Sequence, residues 1–192
     1  MKLFKLASAA VIIALTLCAC SAGQRLNEMT VVQAVSLDRE NGEVVITLQY
    51  LDLNKGSGKN EGLNSSLTAN AQGRGRTLTE AVKLLAKTLP DGIFMGQAKL
   101  LVVGSSLDKR DMLELKSEFL RNNNIRPDML LAKSEKGFDV LECGFRNERV
   151  PADGILKELK TEKKLVCVND YLADSSVKLP EITVNGESGY VR

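Results

Sequence analysis

At 192 residues, with 44% apolar and 26% charged side chains, the chain has the size and composition of one globular domain with its own core, which excludes global disorder. It contains no histidine and no tryptophan, so Ser/His/Asp and Cys/His nucleophilic sites and every His-bearing metal site are excluded, and a carbohydrate- or base-stacking surface is disfavoured. The formal charge of +2, from 26 basic and 24 acidic residues, vanishes if residues 1–19 are removed with Lys2 and Lys5, and a neutral chain has no electrostatic hold on nucleic acid.

The chain opens with MKLFKLASAAVIIALTLCAC. Lys2 and Lys5 give a basic start, Leu6 to Leu17 an apolar stretch too short to span a membrane comfortably, and small residues precede Cys20, which is the layout of a secretory signal peptide. The end of the segment resembles a bacterial lipoprotein signal, in which Leu, two small or apolar residues and then the lipid-accepting Cys follow in order. Leu17, Cys18, Ala19 and Cys20 fit that spacing. With Cys18 as the acceptor, the bulky Leu17 would stand where the peptidase needs Gly, Ala or Ser. Cleavage is therefore expected between Ala19 and Cys20, with lipid attached at Cys20, residues 1–19 as the signal peptide and residues 20–29 as a membrane-proximal tether. A diacylglyceryl group and an N-acyl chain would anchor stably, at ~0.8 kcal/mol per buried methylene. The alternative is an uncleaved helix whose cysteines pack. A Cys-x-Cys metal or redox pair would need partners nearby, and Cys143 and Cys167 lie far along the chain. Outside the cytoplasm those two form an even pair for which a disulfide is allowed; two separate buried thiols are the other reading.

From Thr30 the pattern becomes extended. TVVQAVSLD and EVVITLQYLDL read as two strands joined by a RENG turn, with Val44, Ile46, Leu48 and Tyr50 on the more buried face and Asn41-Gly42 as the hairpin signal. Residues 54–66, rich in Gly, Ser, Asn and Lys, read as an exposed loop, and LTANAQG as a third strand. TLTEAVKLLAKTLPDG is the clearest helix: Thr77 and Glu80 make a capping box, Leu78, Ala81, Val82, Leu85 and Leu89 form an apolar stripe, and Pro90-Asp91-Gly92 ends it. AKLLVVG reads as a central strand. Ser105 or Ser106 is expected to cap a second helix reaching Arg121, with Met112, Leu115, Phe119 and Leu120 inward. DMLLAKS reads as a strand, FDVLE as a short helix, PADGILKELKTEK as a helix with Pro151 near its start, and LPEITVNG as a final extended segment. LVCVNDYLADSS is ambiguous, since a β-branched start and helical spacing pull apart. The sum is a single α+β domain, α/β-like, with a mixed sheet and helices packed on it.

The segment CSAGQRLNEMTVVQAVSLDRENGEVVITLQYLD resembles the start of the Ger(x)C spore germination lipoproteins, through Cys20, the Arg25-Leu26-Asn27-Glu28 segment and a strand carrying Ala34, Val35 and Asp38. The similarity continues through GRGRTLTEAVKLLAKTLPDGIFMGQAKLLVVGSSL and FLRNNNIRPDMLLAKS, to about Pro180. Ser21 and Ala22 replace an aromatic residue and an acid common there, and Gln97 replaces a common His, whose role therefore does not carry over. Members run well beyond this length, so residues 30–192 are expected to be the family's N-terminal domain, with its C-terminal part missing, as a fragment or a short form. The resemblance implies a non-enzymatic, lipid-anchored C subunit of a nutrient germinant receptor. It would sit on the outer face of the spore inner membrane, against integral membrane subunits. It implies no catalytic, cofactor or metal residues, and no nucleic-acid partner.

Three segments are candidate sites from the residues alone. GRGR, residues 73–76, precedes a helix N-terminus that could hold an anion, or is a glycine-eased turn with solvated arginines. RNNNIRPD, residues 121–128, is a partner-contacting loop or an ordinary helix stop. The loop at 54–66 could order on docking. Two other classes compete with the receptor subunit: a solute-binding lipoprotein of a transport system, which would want two lobes and a cleft, and an envelope hydrolase with two facing carboxylates. Charged runs such as SLDKRDMLELKSE read instead as solvated helix faces.

Overall fold

The computed structural model describes residues 29–52, 67–89, 92–121, 125–143, 148–185 and 188–191. The expected signal peptide, Ala19–Cys20 cleavage point and lipid attachment at Cys20, all but the last residue of the expected tether, and the expected loop at 54–66 lie outside the described residues. Among the described residues no helix is long and apolar enough to cross a membrane.

Two strands, β1 (Thr30–Glu40) and β2 (Glu43–Leu51), form the expected hairpin. Asn41 and Gly42 turn the chain with φ of 53° and 83°, the doubly left-handed geometry that matches strand twist and explains the Asn-Gly pair. Alternation sends Val35, Leu37, Val44, Ile46 and Leu48 to one face. Ser36, Asp38, Thr47 and Gln49 take the other, yet they too are buried. The hairpin is thus covered on both sides, where the alternation predicted one more buried face.

Strand β3 (Thr68–Gly75) pairs antiparallel with β2 and takes in Gly73-Arg74-Gly75, while Arg76 and Thr77 make the strand-to-helix turn, with Arg74 and Arg76 exposed as expected. The glycines are there for contact with α1 (Leu78–Thr88): a Cβ on Gly73 would stand 2.2 Å from the Ala81 carbonyl oxygen, and one on Gly75 2.6 Å from the Ala81 nitrogen. Leu78, Ala81 and Leu85 of α1 are buried as expected, whereas Val82 is 39% exposed.

After the two-residue β4 (Ile93–Phe94), which pairs with the start of β1, comes β5 (Leu100–Gly104). Every residue of β5 is buried, and it lies between β1 and β6 (Leu130–Ser134), parallel to both, as its apolar run predicts. Helix α2 (Lys109–Arg121) is capped by Asp108, not by Ser105 or Ser106. Asp108 accepts from the Asp111 N–H at 2.9 Å and Asp111 from the Asp108 N–H at 3.0 Å, a reciprocal box of two aspartates. Leu115 is buried, and Met112 and Phe119 pack beside it. Leu120, five residues past Leu115, is carried to the far side of the helix and stands 66% exposed.

The rest completes the sheet. Helices α3 (Gly137–Glu142), α4 (Pro151–Thr161) and α5 (Val168–Ala173) precede a hairpin of β7 (Glu181–Asn185) and β8 (Ser188–Val191). Both pulls in LVCVNDYLADSS are real: Cys167 bridges to Leu130, and α5 starts at the next residue. Strand order is β3-β2-β1-β5-β6-β7-β8, with parallel pairs from β1 to β7 and antiparallel hairpins at both ends. Helices α1, α2 and α5 pack on one face and α3 and α4 on the other, which makes two apolar layers around a mixed sheet in one α+β domain.

Candidate functional site

Three consecutive residues at the end of β1 fasten three different elements, because alternation turns them to opposite faces. Asp38 is 1% exposed, and its carboxylate accepts from the Gly137 N–H at 2.7 Å and the Phe138 N–H at 3.0 Å. Helix α3 has no side-chain cap of its own. Asp38 supplies one from the sheet, satisfying first-turn donors that a six-residue helix leaves open. At the other end of α3, Gln49 Nε2 donates to the Leu141 carbonyl at 2.7 Å. Glycines make room for the carboxylate: a Cβ on Gly104 would lie 2.2 Å from Asp38 Oδ1, and one on Gly137 2.9 Å from Ser36 Cβ. Burial pushes the Asp38 carboxyl above its usual range, against the pull of the two N–H bonds and of Lys136.

Arg39 faces the opposite layer. Its Nε donates to Asp111 Oδ2 at 2.8 Å and its second guanidinium nitrogen to Asp111 Oδ1, a two-pronged pair that ties β1 to the first turn of α2. Its backbone N–H donates to Ser106 Oγ at 2.9 Å, and its remaining guanidinium nitrogen to the Gly42 carbonyl at 2.7 Å. The guanidinium holds the Asp111 carboxyl below the usual carboxylate range. Glu40 closes the set, paired with Arg74 of β3 at 2.9 Å and with Lys136 before α3 at 3.1 Å. Lys136 first and Arg74 second lower its pKa. Asp38 is sealed from solvent with its oxygens engaged by N–H groups, so the cluster is chemically a clamp on helix ends.

The anion site considered at the start of α1 is filled by the protein's own carboxylates. The Leu78 N–H donates to Glu114 at 3.1 Å and the Arg76 N–H to Glu80 at 2.9 Å, while Thr77 Oγ1 takes the Glu80 N–H at 3.2 Å. Of residues 121–128, 122–124 lie outside the described residues. Arg126 pairs with Asp128, and the Pro127 carbonyl accepts from the Asn169 N–H at 2.9 Å, which fixes this turn against the start of α5. Gln97 is exposed in the turn before β5.

Cys143 and Cys167 stand as two separate free thiols. Cys143 is buried in the α3–α4 layer, where its thiol donates to the Val140 carbonyl at 3.2 Å and burial pushes its pKa up to about 12. Cys167 caps α5, with its thiol donating to Asp170 Oδ2 at 3.0 Å. Among the described residues no three His, Cys, Asp or Glu side chains gather as a metal site. Sequence reasoning placed Asp38 in a family signature without its role, and missed Arg39, Gln49, Asp111, Gly104 and Gly137. A polar Gln49 inside an otherwise apolar alternating strand is the signal that marks a second, helix-covered face.

A family model described as the spore germination protein N-terminal domain matches residues 23–168. No curated protein and no solved structure matches the chain. The match takes in the hairpin, the β1 clamp and both helix layers up to the first residue of α5, and a match over so much of the chain shows the family: the chain belongs to the spore germination protein N-terminal domain family and its role is in spore germination.

Proposed function

We propose that the chain is a lipid-anchored, non-enzymatic subunit of a spore nutrient germinant receptor, attached at Cys20 to the outer face of the spore inner membrane and acting by contact with integral membrane subunits. The observation that carries this reading is the family match over residues 23–168 directly behind a lipoprotein-type cleavage sequence. Between Cys20 and the start of β1 at Thr30 lie about ten residues, a reach of at most ~35 Å fully extended. An anchored domain on so short a tether stays beside the membrane, within reach of embedded partners. Against the solute-binding reading, the described residues build one sheet rather than two lobes about a cleft.

The test is Cys20→Ala in sporulating cells. The variant is expected to leave the membrane fraction and the spores to lose their response to nutrients while still germinating with a non-nutrient trigger. A soluble variant with an intact nutrient response would overturn the proposal.

A further inference from the structure

Helices α1 and α2 do not close over the sheet. They meet near the first turn of α1, where the Leu78 N–H reaches Glu114 and Thr79 Oγ1 reaches Glu118 at 3.2 Å. Beside that contact a cavity of about 210 Å³ remains above β1, β2 and β5. Its walls are Leu37, Leu48 and Leu101 from the strands, Leu85 from α1 and Phe119 from α2, and Glu118 is the one charged residue among the described residues that line it. Val82, 39% exposed, stands at the opening. Native cores hold few voids larger than a water molecule, and a void lined by hydrocarbon stays dry because water finds no partners in it.

We propose that this cavity is a binding site for a single short aliphatic chain with an uncharged end group left at the opening. Size sets the chain. A dry cavity of ~150 Å³ admits one benzene ring, so 210 Å³ holds about eight carbon atoms by proportion. Charge sets the end group. Glu118 at the rim accepts from Thr79 and has its charge matched by Arg121 at 2.9 Å, so a charged head placed there would lose hydration without gaining a free counter-charge. The inference rests on the cavity alone and is independent of where the chain is anchored.

The experiment titrates the full chain, with labelled methyl groups and in the absence of lipid, with 1-alkanols from butanol to dodecanol and with octanoate. Affinity is expected to rise about fourfold per methylene up to octanol and then level off. The saturable shifts should fall on the methyls of Leu37, Leu48, Leu85 and Leu101, and octanoate should bind at least tenfold more weakly than octanol. Val82→Trp, which plugs the opening, should abolish these shifts while the methyls of Ile155 and Leu159 in the opposite layer keep their positions. Leu115→Phe, which fills the space from within, is the second variant and should do the same. Absence of saturable shifts, affinity that keeps climbing to dodecanol, or unchanged shifts in a folded variant would overturn the proposal.

Discussion

Asp38 and Asp111 are buried on opposite faces of one sheet, and their pKa values shift in opposite directions. For Asp38, loss of hydration outweighs the two N–H bonds, so the folded state holds its proton more tightly than the unfolded chain does. Its contribution is complete below the usual value of 3.8 and is lost as pH rises through the raised folded value. For Asp111, the Arg39 fork outweighs burial, so its contribution is present above 3.8 and is lost as pH falls through the lowered folded value. Urea unfolding between pH 3 and 7 reads this directly. The advantage of the wild type over Asp38→Asn should shrink as pH rises, and its advantage over Asp111→Asn should grow; slopes of the reverse sign would contradict the assignment. Asp38→Ala, which leaves two helix N–H groups without an acceptor, should cost about 2–3 kcal/mol at pH 3, and less as pH rises, for the same reason as Asp38→Asn.

At the scale of elements, close approach decides more than propensity. Gly104 ends β5 where a methyl group would strike Asp38 Oδ1, so Gly104→Ala should push the carboxylate off the α3 N–H groups. A loss of about 2 kcal/mol or more is expected, together with faster amide exchange at Gly137 and Phe138; normal protection there would show that the clamp tolerates the methyl. The β1–β2 hairpin and α1 were legible because their signals are local: Asn41-Gly42 needs nothing beyond itself, and Thr77 with Glu80 spans one turn. The strand-to-helix turn in GRGR falls later than its glycines suggest, at Arg76, because glycine signals a bend or a close contact equally, and the contact here is with α1, a tertiary fact. The cap of α2 was misplaced among Ser105, Ser106 and Asp108 for a related reason. Ser106 Oγ is used by the Arg39 N–H and Ser105 Oγ by the Glu135 carbonyl, which leaves Asp108 to the helix. Strand β4 is two residues long and carries no periodicity to read.

Across the whole molecule, composition and element order were enough for a mixed sheet with helices on it. The division into two apolar layers, and the sealing of a polar ledge under α3, depend on which strand lies beside which. The family match stops at residue 168, but the sheet does not: β7 pairs with β6, and β8 with β7. The cavity under α1 and α2 was equally invisible in sequence, since every lining residue except Glu118 reads as ordinary core. What joins this fold to germination in the present account is attachment to the membrane through a tether about ten residues long. The direct measurement is the mass of the N-terminal peptide of the protein extracted from spore inner membranes. A chain that begins at Cys20 and carries a diacylglyceryl group with an N-acyl chain is expected from the proposed function, and an unmodified peptide retaining residues 1–19 would contradict that proposal.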